Sequence, residues 1–273
     1  MTDAAATAKH QEKVAERIQI PEGEIIYRAV RRDGDDALQW TSSELAWSGF
    51  AAGISMGFSM AAEGALRAHL PQTEWSTLVA KLGYVAGFLI VILGRQQLFT
   101  EQTLTAILPL LSKDRPDGTI QNVARLWSVV LVSNLLGAAL FAAAAAWTPM
   151  FDENVRAQFS ALGAAALAPD ALTTAFNAVP AGFLIAMMVW LLPGAGAARI
   201  WIVIIVAYLV GIFGSAHVIA GTIDCLYVVF RGEHGWLEYV GRYLLPAFIG
   251  NSIAGVGLVA TLAHAQHAPR ESQ

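Results

Sequence analysis

Two apolar runs in this chain are too long to be single straight helices, and each is interrupted at mid-length. Residues 83–111 read GYVAGFLIVILGRQQLFTEQTLTAILPLL, so Arg95, Gln96, Gln97, Thr100, Glu101 and Gln102 fall where lipid belongs. The run 199–230 carries GIFGSAH at 211–217. A charged side chain at the centre of a spanning helix costs about 2.5–3.5 kcal/mol on insertion scales. At 1.5 Å per residue, a run of about 33 residues extends near 50 Å, against a hydrocarbon core of about 30 Å. The economical reading is that each run is two half-helices joined by a non-helical break. Such backbone is tolerated at membrane depth only where protein or a watery cavity surrounds it.

The rest of the chain agrees with a bilayer. Of 273 residues, 56% are hydrophobic and 14% charged, with mean hydropathy +0.52; that composition describes an all-α membrane protein. A net charge of −4 offers no basic surface for nucleic acid, and the single cysteine, Cys225, excludes an intrachain disulfide. Residues 1–40 mix acids and bases without an apolar core, and read as a polar, partly helical segment outside the membrane rather than a secretory signal.

Six spans are expected, at roughly 42–66, 77–111, 122–148, 177–193, 199–230 and 237–264. Thr41 and Glu44 have capping-box spacing at the start of the first. The chain then divides into a segment at 1–40, a six-helix transmembrane domain at 41–266 and a tail at 267–273. The breaks fall in spans two and five, which predicts two three-helix repeats. With an odd number of spans each, the repeats must insert in opposite senses, and inverted repeats with paired broken helices point to a transport site at their interface.

Basic residues near the spans favour both termini in the cytoplasm. Much of that bias comes from Lys9, Lys13, Arg17, Arg28, Arg31 and Arg32. All eight tryptophans lie near predicted span ends, as an aromatic belt requires. Small residues recur at spacing four: Gly49, Gly53 and Gly57; Gly83 and Gly87; Gly250 and Ala254. Such faces allow close helix packing, within a protomer or between copies.

His217 is the one histidine of six expected at mid-membrane; His10, His69, His234, His264 and His267 fall in loops or tails. Its ring can offer or withhold a proton near neutral pH. A break also presents a half-helix N-terminus with free N–H groups that suit an anion, and the Thr100 hydroxyl is placed to join them. Leu98 and Phe99 are candidates for an apolar constriction, or for packing of the break. Asp224 shares a helical face with His217. Arg95 and Glu101 read as a pair bracing the break, with Glu63 or Asp224 as alternative partners. No cofactor, metal or enzyme signature is expected: Gly214-Ser215-Ala216-His217 is not a nucleophile elbow, and Walker and dinucleotide glycine patterns are absent.

Six spans, two broken helices, Leu98-Phe99-Thr100 at the first break, a lone His217 at the second and Ile249-Gly250-Asn251 in span six resemble the formate/nitrite transporter family. The resemblance covers roughly residues 20–265. It implies an aquaporin-like fold in a bacterial inner membrane. It also implies a homopentamer whose protomers each pass a small monovalent anion or its weak acid, some with protons. His217 matches the family's central histidine, Thr100 its loop threonine, and Leu98 and Phe99 its constriction. The first break reads QLFTEQ where the family usually has ELFTGN, the second reads AHVIAGT in place of EHSxxNM, and no lysine follows Lys113 to match the family's outward lysine. Two other functions fit the residues: a channel for a neutral solute, and a membrane scaffold or sensor.

Overall fold

The computed structural model describes residues 23–112 and 115–261. His10, Lys9, Lys13, Arg17, Lys113, His264, His267 and the tail at 267–273 lie outside the described residues. Helix α1 (Gly23–Gln39) comes first. Then follow α2 (Ser42–His69), α3 (Glu74–Leu93), the short α4 (Phe99–Thr105) and α5 (Thr119–Trp147). The second half holds α6 (Glu153–Leu167), α7 (Ala171–Leu191), α8 (Arg199–Ile212), α9 (Ala220–Phe230) and α10 (Leu245–Ser252). Wider π-helical turns flank α10 at Tyr239–Leu244 and Ile253–Ala260. Helices α2, α3, α5 and α7 are long and apolar enough to cross a membrane, while α8 and α9 are apolar and shorter.

Local chemistry sets several boundaries. At the start of α2 the Thr41 hydroxyl accepts from the Glu44 N–H, and the Glu44 carboxylate accepts from the Thr41 N–H at 2.7 Å, completing the expected capping box. Asp170 caps α7 by accepting from the Thr173 N–H at 2.8 Å, a bond that holds its carboxyl below the ordinary aspartate range. The fourth span therefore starts before the expected residue 177. The apolar periodicity begins late because the first turns of α7 carry Thr173, Thr174 and Asn177. Helix α6 was not anticipated. It is alanine-rich, and its residues Val155, Phe159, Leu162 and Leu167 bury one side.

Helix α2 packs along α5 and α3, and α7 packs along α10 and α8. The half-helices cross between these groups: α4 lies against α7, and α9 against α5. The glycine faces carry this packing inside the protomer. A Cβ at Gly53 would run into the Asn134 carbonyl, one at Gly57 into the Phe141 ring, one at Gly83 into the α2 backbone and one at Gly250 into the Ala175 carbonyl. Of the tryptophans, Trp47, Trp75, Trp147, Trp201 and Trp236 are exposed. Trp127 is not a belt residue: its ring lies edge-on to Phe99 and its Nε1–H donates to the Gln102 carbonyl at 3.1 Å.

Helix α1 is tied to the bundle rather than separate from it. The Arg125 guanidinium donates to the Leu38 and Trp40 carbonyls at 2.9 and 2.8 Å, and Gly34 allows α1 to touch the Thr105 carbonyl of α4.

Candidate functional site

Both breaks are built by the same bonds. At the end of α3, the N–H groups of Gly94, Arg95 and Gln96 donate to the carbonyls of Ile90, Ile92 and Val91. At the end of α8, those of Phe213, Gly214 and Ser215 donate to Leu209, Gly211 and Val210. Each set closes a helix C-terminus on one left-handed residue, Arg95 at φ 50° and Gly214 at φ 62°. Arginine at such a position costs about 1–2 kcal/mol that glycine does not.

Each break is then clamped by one fully buried asparagine. Asn134 of α5 accepts from the Phe99 N–H at 2.9 Å and donates to the carbonyls of Gly49 at 2.7 Å and Gln97 at 2.9 Å. Asn251 of α10 accepts from the Val218 N–H at 2.8 Å and donates to Ala178 at 2.7 Å and Ala216 at 2.9 Å. Side-chain amides thus replace the hydrogen bonds that the breaks take from the helices. The resemblance pointed to Asn251. Asn134 was missed, although Ser133-Asn134 is a polar pair inside an apolar run.

The two breaks meet at Thr100 and His217. Both are buried, and the Thr100 Oγ1 lies 2.9 Å from His217 Nε2. The Ala220 N–H, which can only donate, points at His217 Nδ1 at 3.2 Å. Nδ1 is therefore the acceptor, Nε2 carries the hydrogen, and the imidazole donates to the threonine hydroxyl. Phe88 closes one side of the ring edge-on, with centroids 5.1 Å apart, and the Tyr243 hydroxyl donates to the His217 carbonyl at 3.1 Å. Neither was anticipated. Leu98 and Phe99 are fully buried. Phe99 stacks on Phe248 at 5.4 Å, and neither Leu98 nor Phe99 lines the cavity at either break.

Each break lines a cavity of its own. The larger, about 500 Å³, is lined by Arg95, Gln96, Gln97, Glu101, Gln102 and Thr105 of the first break, by Asp33 and Asp36 of α1 and by Arg199. Arg95 and Glu101 share this cavity but form no ion pair, so the expected brace is absent. Arg95 acts on a carboxyl of α1: partial burial pushes the Asp33 carboxyl above its ordinary range, and Arg95 opposes that shift. The smaller cavity, about 190 Å³, is lined by Arg67, Lys81, Tyr84, Asn177, Ser215, Ala216, Asp224 and Tyr243. Glu63, 2% exposed, holds Lys81 at 2.7 Å and Arg67 at 2.8 Å. Glu63 is therefore no partner for Arg95, and Asp224 does not reach His217. A lysine does face this cavity, but it comes from α3, ahead of the region where the family's outward lysine was sought.

The formate/nitrite transporter family model matches residues 24–265. Inner membrane protein YfdC of Escherichia coli (strain K12) is 36% identical over 274 residues, covering 97% of this chain and 87% of that protein. Formate channel BtFdhC of Bacillus thuringiensis is 26% identical over 215 residues, covering 76% and 79%. Among solved structures, a pentameric formate channel with formate bound superposes with TM-score 0.71 at 17% identity, covering 83% of this chain and 97% of the other. An FNT family ion channel superposes with TM-score 0.73 at 16% identity, covering 89% and 99%.

Proposed function

Because the chain belongs to the formate/nitrite transporter family, we propose that it passes a small monovalent anion, as its weak acid, across a bacterial inner membrane between the two cavities. In this reading the spans form two inverted three-helix repeats, α2–α5 and α7–α10, with the second and fifth spans broken. The paired break bonds and the paired asparagines support it. Residues 41–266 are the pore domain, 1–40 and 267–273 are cytoplasmic, the larger cavity faces the cytoplasm and five copies assemble.

The observation that carries the proposal is the buried Thr100–His217 bond that joins the two breaks, one break lining each of two cavities with charged walls. A full charge entering a dry layer without a partner costs many kcal/mol, whereas a neutral acid needs only its hydrogen bonds met. The Nε2–H of His217 fixes the threonine oxygen as acceptor, which leaves the Thr100 hydroxyl hydrogen for a substrate oxygen. Leu98, Phe99 and Phe88 keep water out of the same layer. Arg95, Glu101, Asp224 and Asn251 support the pathway at the cavities and the breaks.

The test is solute flux in liposomes carrying the full chain, at two pH values, with formate, acetate, nitrite, hydrosulfide and glycerol. Protein-dependent flux of the weak acids that rises at low pH is expected, with glycerol excluded. Glycerol flux alone would move the protein to a neutral-solute channel, and no flux for any solute would remove the transport reading.

A further inference from the structure

We propose that Asp224 is the group that hands a proton to the anion in the smaller cavity, before the solute reaches Thr100 and His217. The inference rests on the weak-acid reading above and assigns it a proton source.

The arrangement of charges in that cavity singles Asp224 out. Two cations line it, Lys81 and Arg67, and both are held by one carboxylate: Lys81 Nζ and Arg67 Nη2 lie 2.7 and 2.8 Å from Glu63 Oε1, and Arg67 Nε is 3.0 Å away. Lys81 also leans over the Tyr84 ring at 5.6 Å from its centroid. Glu63 is thus fixed and almost fully buried. Asp224 is half-buried, lines the same cavity, and has no hydrogen-bond donor and no cation within ion-pair range among the described residues. Nothing in the fold commits its carboxyl to a fixed partner, so it exchanges its proton with cavity water. One acid braces the cations and the other is left for chemistry.

His217 is poorly placed to be that source. Its Nδ1 is occupied by the Ala220 N–H and its Nε2–H by Thr100. Giving up its hydrogen would leave a buried imidazolate, and gaining one would break the Ala220 bond. The transfer at Asp224 has no such obstacle. Lys81 and Arg67 draw the anion in, the O–H bond of the protonated Asp224 breaks, and an O–H bond forms on the anion. The Asp224 carboxylate then recovers a proton from water at the cavity mouth, with no change of oxidation state.

The titratable groups that face Asp224 among the described residues come from three helices and one turn. Helix α2 brings Glu63 and Arg67, α3 brings Lys81 and Tyr84, and the turn before α10 brings Tyr243. Its own helix adds Cys225, buried beside it. Helices α6 and α7 contribute Leu162, Ala165, Ala166, Thr174 and Asn177, none of which titrates. Of the two carboxyl groups here, Glu63 is committed to Lys81 and Arg67 and Asp224 is not.

The test uses liposomes carrying the full chain, formate as the probe, a fixed pH on the side of the larger cavity and a varied pH on the side of the smaller one. Wild-type flux is expected to rise as that outer pH falls. Asp224→Asn should lose the acid-stimulated part on the order of 10²-fold, the lower end for a positioned proton donor, and Asp224→Glu should restore it with a shifted midpoint. An Asp224→Asn profile that follows wild type overturns the proposal. If Asp224→Asn does not assemble, Asp224→Glu decides: a shifted midpoint supports the assignment and an unmoved one overturns it. A wild-type protein without acid-stimulated formate flux removes the weak-acid reading itself, a failure visible before any variant is compared.

Discussion

Replacing Asn134 or Asn251 with leucine is expected to abolish formate flux and to destabilise the protein by about 3 kcal/mol. Leucine roughly preserves volume, so the effect isolates the amide. Each asparagine satisfies one N–H and two carbonyls at a break, all buried. Each backbone group left unsatisfied costs about 1–3 kcal/mol, or roughly 3 kcal/mol for the three at the lower end. Transmembrane hydrogen bonds favour that end, because the reference state in the membrane also finds partners. Against a total stability of about 5–15 kcal/mol, that is a large fraction. Thermal unfolding in detergent and flux in liposomes check it together. Because the two clamps are built alike, the two variants should behave alike; a stable, conducting variant at either position would show that the clamp is not what holds that break.

Removing the bond at the centre should slow transport without unfolding the chain. Thr100→Val deletes the hydroxyl offered to the solute. A hydrogen bond between neutral groups is worth about 0.5–1.5 kcal/mol, so flux should fall roughly 2- to 10-fold, at about 1.4 kcal/mol per factor of ten. His217→Ala should do the same by freeing the threonine and orphaning the Ala220 N–H. His217→Gln retains a donor and an acceptor, so it should keep more flux than His217→Ala and leave the pH dependence unaltered, because both ring nitrogens of the wild-type imidazole are already committed. Asp224 variants, by contrast, act through the pH of one side only. A pH dependence altered in His217→Gln would return the proton step to this residue and away from Asp224.

How much of this was legible beforehand depended on whether the signal was local. The breaks were visible because polar residues inside an apolar run have no other explanation, and the Thr41–Glu44 cap because its spacing is a short-range rule. The glycine faces were visible, but only the fold shows that Gly53, Gly57 and Gly250 pack within one protomer. Helix α6 escaped because alanine and scattered polar residues carry weak periodicity. The partners of charged groups escaped for a different reason. Arg95 and Glu101 are six positions apart and were expected to pair, yet each faces a shared cavity. Glu63 takes Arg67 one turn away and Lys81 from the next helix. Asn134 reaches the site from the next span, and Phe88 and Lys81 from the other half of the broken second span, where no spacing rule connects them to Thr100 or His217 across the break.

The most direct test of the central claim, that the solute crosses the Thr100–His217 layer as a neutral acid, is formate movement in reconstituted liposomes with equal formate on both sides. A pH gradient is imposed in one sample and a membrane potential in another, and the rate in protein-free liposomes is subtracted from each. Protein-dependent accumulation on the alkaline side, with indifference to the potential, is the predicted result. Accumulation that follows the potential and ignores the pH gradient would show that the bare anion crosses, and would contradict the account.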